Sequence, residues 1–231
     1  MTQPTFIDAF TQPIEINPSS TALIVVDMQN ATGNRAMGLG KLLAESGKAE
    51  QAGYRFDRIE QLLVPNIQKL LTAFRDNNWP VIFVTYGAET PDAHDVPQHL
   101  KPIVTATNNI EGHKEHEIVT DLTPLPNEPV LNKTTMGAFC STKIDTVLRA
   151  TGVDTLVCVG VSTNNCVGMT AMEACDLQYK VIVVTSAMSG VTNSLIKKAG
   201  KISKNFPNSE RDVLLSTGEQ MASALIAGKL C

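Results

Sequence analysis

Six short apolar runs, interleaved with amphipathic stretches, constrain this chain more than any other feature. They are Thr21 to Val26 (TALIVV), Pro80 to Thr85 (PVIFVT), the pair Val130 and Leu131, Thr155 to Val159 (TLVCV), Lys180 to Thr185 (KVIVVT) and Asp212 to Leu215 (DVLL). Each is strand-sized, and the longer ones are rich in β-branched residues. Their hydrophobicity is nearly continuous rather than alternating, which suits strands covered on both faces, as in a parallel sheet between helices. Between them, Ile67, Leu70, Leu71 and Phe74 fall on one helical stripe, and Pro65 fits the start of that helix. Ser141 to Ala150 places Ile144, Val147 and Leu148 on one face, with Gly152 as a C-cap. Val167 to Asp176 and Gly218 to Ala227 complete the predicted helices. This alternation predicts a single-domain, three-layer α/β/α fold over residues 1–231 with a six-stranded, mostly parallel sheet and right-handed crossovers. Residues 1–16 read as an N-terminal extension.

Composition narrows the class of function. The formal net charge is −4 and no basic stripe occurs, so neither nucleic acid nor an anionic membrane is an expected partner. No apolar run approaches the ~20 residues of a membrane span. The segment from Met1 to Thr21 is too polar for a signal peptide. The five cysteines are irregularly spaced and form no Cys-x-x-Cys pair. That argues against a zinc ribbon or a disulfide framework and predicts a reduced, cytoplasmic setting.

Two stretches break the strand–helix rhythm. Residues Asn30 to Arg58 carry five glycines and little periodicity, and Gly87 to Glu117 is polar and contains all four histidines. Both read as loops following strands, at the sheet edge where open α/β folds build their sites.

Reactive side chains fall at three predicted strand ends: Asp27 after the first run, Lys133 after the third, and Cys166 in the turn after the fourth. Cys166 opens a predicted helix, where unpaired N–H groups favour an anion and lower a thiol pKa. An aspartate beside a thiol can act as a general base, and a lysine can hold that carboxylate. Cys158, within an apolar run, reads as core. Cys140, Cys175 and Cys231 carry no motif.

The segments ALIVVDMQN (22–30), VLNKTTMGAF (130–139) and VGVSTNNCVGMTAMEACDLQYKVIVVTSAMSG (159–190) together resemble the isochorismatase-like cysteine hydrolase superfamily. The resemblance covers about residues 17–226. It implies a catalytic triad of Asp27, Lys133 and Cys166. It also implies a cis peptide between Val161 and Ser162, and an oxyanion hole formed by the N–H groups of Ser162 and Cys166. The activity it implies is cleavage of a C–N bond in a small amide, carbamoyl or ureide substrate through a thioester on Cys166. A homodimer or homotetramer is a further implication. Gln29, Asn30, Tyr86 and Phe139 are the expected substrate-binding residues. No cofactor and no metal are expected: Asp92, His94 and His99 only loosely resemble the metal-binding order of nicotinamidases, with Ala93 where that family carries tryptophan. His113 and His116 read as surface or lid residues. Two alternatives stay open, a vinyl ether hydrolase of the isochorismatase type and a non-catalytic thiol redox relative.

Overall fold

The computed structural model describes residues 17–189 and 213–216. The predicted helix at 218–227, the extension at 1–16 and Cys231 lie outside the described residues. Strands β1 (Thr21–Val26), β2 (Val81–Tyr86), β3 (Val130–Lys133), β4 (Thr155–Val161) and β5 (Lys180–Ser189) coincide with the apolar runs to within a few residues at their ends. A further strand, β6 (Val213–Ser216), pairs along β5. The order is β3-β2-β1-β4-β5-β6, and every pairing is parallel. The chain thus winds outward from β1 in one direction and from β4 in the other. Between those two neighbours the winding reverses, and a crevice opens at their carboxyl ends.

Both faces of the sheet are covered, as the continuous hydrophobicity required. Leu23 and Val25 of β1 point to one side, against Ile67, Leu70 and Phe74 of helix α4 (Val64–Asp76). Ala22, Ile24 and Val26 point to the other, against α6 (Ile144–Ala150) and α7 (Cys166–Asp176) through Ile144, Leu148, Val167 and Ala171. The α/β architecture with a parallel sheet is therefore as expected. Among the described residues, no helix is long and apolar enough to cross a membrane.

The stretch from Asn30 to Arg58 differs from its reading as a loop. It folds into α1 (Asn30–Gly33), α2 (Gly38–Glu45) and α3 (Ala49–Arg58). A π-helical turn, Ile59–Leu63, then carries α3 straight into α4. Glycine lowers helix propensity, so local pattern hides these helices, and tertiary packing selects them. Gly38 shows why: at φ 45° its missing side chain leaves room for the backbone of Ala31. The polar stretch from Gly87 to Glu117 is irregular apart from α5 (Lys101–Ala106). It encloses a small apolar cluster of its own, with Ala88, Ala93, Val96, Val104 and Ile110 packed on Tyr86.

Candidate active site

The site assembles at the carboxyl ends of β1, β3 and β4. Directly after β1, Asp27 takes a left-handed conformation, φ 52°. Aspartate tolerates that region better than most residues, and the turn ends the strand's alternation. Asp27 N–H donates to Val84 O (2.8 Å), and its carbonyl accepts from Thr32 Oγ1 (2.5 Å). The carboxylate is 1% exposed.

Lys133, the last residue of β3, lies two strands from β1. At roughly 4.8 Å per strand that gap is about 10 Å, within reach of a lysine stem lying over the intervening strand. Tyr86, its register partner on β2, supplies the surface: Lys133 Nζ sits 4.4 Å from the Tyr86 ring centroid. Nζ then donates to Asp27 Oδ2 at 3.0 Å and to Thr135 O at 3.2 Å. Both members of the ion pair are buried.

Strand β4 delivers the thiol. Its Gly160 adopts φ 114° opposite Val26, and a Cβ there would run into the Val26 carbonyl. A cis peptide joins Val161 to Ser162. In the turn that follows, the N–H groups of Asn165 and Val167 donate to Ser162 O (3.0 and 3.2 Å). Cys166 is the first residue of α7. Among the described residues, the N–H groups of Ser162 and Cys166 donate to no backbone carbonyl.

The electrostatics reverse one expectation. Cys166 keeps partial exposure, yet the surrounding protein desolvates its sulfur, and burial together with the negative charge of Asp27 pushes the thiol up to about 12. These effects outweigh the helix N-terminus and Lys133. Burial also lifts Asp27 above the ordinary carboxylate range, although the charge of Lys133 pulls the other way. Burial pulls Lys133 down, but the neighbouring Asp27 carboxylate outweighs it and raises the pKa, which keeps the lysine cationic. At rest the thiol is therefore held protonated by its surroundings rather than preformed as a thiolate.

The four expected substrate contacts divide. Gln29 is fully buried with its amide committed: Nε2 donates to Asn109 Oδ1 and His116 O, and Oε1 accepts from Tyr86 N–H. Asn30 donates to Lys114 O and accepts from Asn34 Nδ2. Both side chains tie the end of β1 to the 87–117 loop, which is why that loop sits over the site. Phe139 packs beside Tyr179, ring centroids 5.7 Å apart, and its N–H donates to Glu173 Oε2. Tyr86 differs from these three, because its hydroxyl is buried without a hydrogen-bond partner.

Two further residues border the site. His116 is not a solvated loop histidine: its Nε2 donates to Asn132 Oδ1 at 2.9 Å, and it acts electrostatically on Asp27. Arg55, on α3, is 5% exposed, and its Nη1 donates to Ser162 Oγ at 2.8 Å. Neither carries a motif. Arg55 lies in a stretch whose helical character local pattern conceals. Among the described residues, the buried side-chain polar atoms lacking a partner are Asp27 Oδ1, Arg55 Nε, Tyr86 Oη and Thr163 Oγ1. Thr163 belongs to the Cys166 turn, and the other three residues interact electrostatically with Cys166. Unsatisfied groups so concentrated mark a place for a polar ligand.

Asp92 and His94 form an exposed pair, 2.8 Å apart. Among the described residues, no three of His, Cys, Asp and Glu gather as metal ligands.

Known proteins resemble this chain in sequence and fold. The chain is 30% identical over 207 residues to the ureidoacrylate amidohydrolase RutB of Agrobacterium fabrum, covering 84% of this chain and 86% of that one. The crystal structure of an isochorismatase family protein from Desulfovibrio vulgaris superposes with a TM-score of 0.72 at 28% identity, over 90% of this chain and 99% of that one. A cysteine hydrolase from Pseudomonas syringae pv. phaseolicola shares the fold, with a TM-score of 0.76 at 22% identity over 99% of this chain and 100% of that one. The sequence model of the isochorismatase domain matches residues 21–202, and with the strand-end site in place the chain belongs to the isochorismatase family.

Proposed function

We propose that the chain is a cysteine hydrolase that cleaves a C–N bond of a small amide, carbamoyl or ureide compound. The observation that carries this reading is the buried Asp27–Lys133 ion pair, 3.0 Å long, at the strand ends beside the thiol that opens α7. The name of the Agrobacterium relative, a ureidoacrylate amidohydrolase, supports the same bond type.

Asp27 removes the Cys166 proton as sulfur attacks the substrate carbonyl carbon. The carbonyl oxygen takes the electron pair and is held by the N–H groups of Ser162 and Cys166. Collapse of this intermediate breaks the C–N bond. The nitrogen leaves with the proton returned by Asp27, as ammonia or an amine, and the acyl group stays on sulfur as a thioester. Water, deprotonated by Asp27, attacks that acyl carbon, and the departing sulfur regains its proton. Lys133 keeps Asp27 oriented and charged in the intervals when it is a base. Because thiol and base exchange one proton, the buried charge of the site stays constant through the cycle, which a low-dielectric pocket requires.

Ammonia release across a panel of amides and ureides tests this function. The wild-type chain is expected to turn over at least one small amide, carbamoyl or ureide compound. Cys166→Ala is expected to bind that compound and release no ammonia. Undiminished turnover by the variant would refute the assignment.

A further inference from the structure

Arg55 is the buried cation that this mechanism leaves unexplained. It reaches the site from α3, and two neutral oxygens hold it: Nη1 donates to Ser162 Oγ (2.8 Å) and Nη2 to Thr32 O (2.9 Å). Its Nε is buried with no partner, and no carboxylate forms a salt bridge with it among the described residues. A guanidinium so placed is unusual, since buried charges are normally paired. The site thus gathers one carboxyl group, Asp27, with two basic side chains, Lys133 and Arg55.

The two cations occupy different places. Lys133 is bonded to Asp27 itself, whereas Arg55 is bonded to Ser162, in the turn that carries Cys166. Of the negative charges within its reach, Arg55 responds first to Cys166 and then to Asp27, while Lys133 responds first to Asp27. When the proton passes from Cys166 to Asp27, the negative charge moves away from the lysine's partner and onto the sulfur. Lys133 secures the starting point of that transfer, and Arg55 lies where its end point needs a counter-charge.

We propose that Arg55 is a positioning residue for the hydrolysis, holding the oxyanion turn through Ser162 and favouring negative charge on Cys166 over Asp27 during proton transfer. This rests on the proposed cysteine-hydrolase reading. The ionisable groups around the thiol are Asp27 after β1, Tyr86 on β2, Lys133 on β3 and Arg55 on α3. His116 acts on Asp27, and Glu173 on α7 is engaged by the Phe139 N–H. Lys133 acts on the thiol directly, so loss of Arg55 shifts thiolate formation without abolishing it.

The test follows alkylation of Cys166 by iodoacetamide against pH, read at that residue by peptide mass spectrometry, so that it requires no substrate. In Arg55→Met, Cys166 is expected to react about tenfold more slowly near pH 7.5, with the profile displaced to higher pH by about one unit. Arg55→Lys, which keeps the charge but not both hydrogen bonds, is expected to restore the profile to within about threefold of wild type while kcat stays low. Ser162→Ala removes the Oγ acceptor and is expected to lower kcat with the alkylation profile unmoved. An unchanged profile in folded Arg55→Met overturns the proposal. If that variant does not fold, a tenfold slower reaction in Arg55→Lys, or full activity in Ser162→Ala, overturns it. A loss of kcat/KM confined to carboxylate-bearing substrates, with the profile intact, also overturns it, because Arg55 would then be a receptor for the substrate anion. The alkylation outcomes do not depend on turnover or on the Cys166→Ala result, so a failure of this proposal is read there separately from a failure of the hydrolase reading.

Discussion

In the proposed reaction Asp27 carries the heaviest chemical demand, and its surroundings set when it can meet that demand. Burial raises its pKa, and Lys133 partly offsets the rise. A base works only when ionised, so activity is lost as pH falls through this raised value. The acid limb of kcat/KM is therefore expected above the ordinary Asp pKa of about 3.9. Removing the offsetting cation moves the limb in a known direction. In Lys133→Met the carboxyl loses its counter-charge, Asp27 stays protonated to higher pH, and the acid limb moves upward. The same change is expected to lower kcat by about a hundredfold or more. A pH–rate profile of this variant that overlays the wild type would show that Lys133 does not govern Asp27. Asp27, Lys133 and Cys166 were legible in the sequence because each ends or follows an apolar run, and strand ends in parallel sheets converge. Arg55 and His116 were not legible. A charged residue in a helix or a histidine in a polar loop is indistinguishable from a solvated one until the packing around it is known.

At the scale of elements, two junctions govern the site. One is the end of β4, where Gly160 lets β4 lie against the Val26 carbonyl immediately before Asp27. Gly160→Ala forces either the left-handed strain of an alanine at φ 114° or a separation of β1 from β4. A stability loss of about 3 kcal/mol is expected, read from the urea midpoint. The Cys166 turn also moves relative to Asp27, and activity is expected to fall about a hundredfold even where the protein remains folded. Wild-type stability in this variant would mean that the two strands have slack here. The other junction runs from α3 through the π-helical turn into α4. It puts Arg55 at the site and Ile59, Leu63 and Ile67 in the core on a single helical path. Local pattern showed the α4 half of that path and missed the α3 half. In α4 the apolar stripe is regular, whereas upstream the five glycines of residues 30–58 dilute the helical signal.

For the whole molecule, the candidate site depends on how firmly the outer strand β3 is held, because Lys133 must span two strands from there. The anchor is Glu128, 9% exposed, just before β3. Arg75 of α4 grips its carboxylate with Nε and Nη2, both at 2.8 Å, and Leu125 N–H donates to the same group. Arg75→Ala leaves that carboxylate nearly buried and without its cation. A loss of about 2–3 kcal/mol is expected, since removing one partner costs more than the pair contributes. Unfolding in urea measures it, and a change below about 0.5 kcal/mol would place Glu128 among weak surface pairs.

By itself, the sequence determined the layered α/β plan, the strands near their observed limits, and the three strand-end residues of the site. These follow from short-range facts: continuous apolar runs demand cover on both faces, and a parallel sheet sends its strand ends to one edge. The tertiary structure decided the rest. It set the thiol's ionisation against the expectation drawn from the helix N-terminus, because desolvation depends on everything packed around the sulfur. It committed Gln29 and Asn30 to holding the 87–117 loop over the site, and it brought Arg55 from a distant helix to Ser162. Charge, burial and hydrogen-bond partners are properties of neighbours in space, and 107 residues of chain separate Arg55 from Ser162.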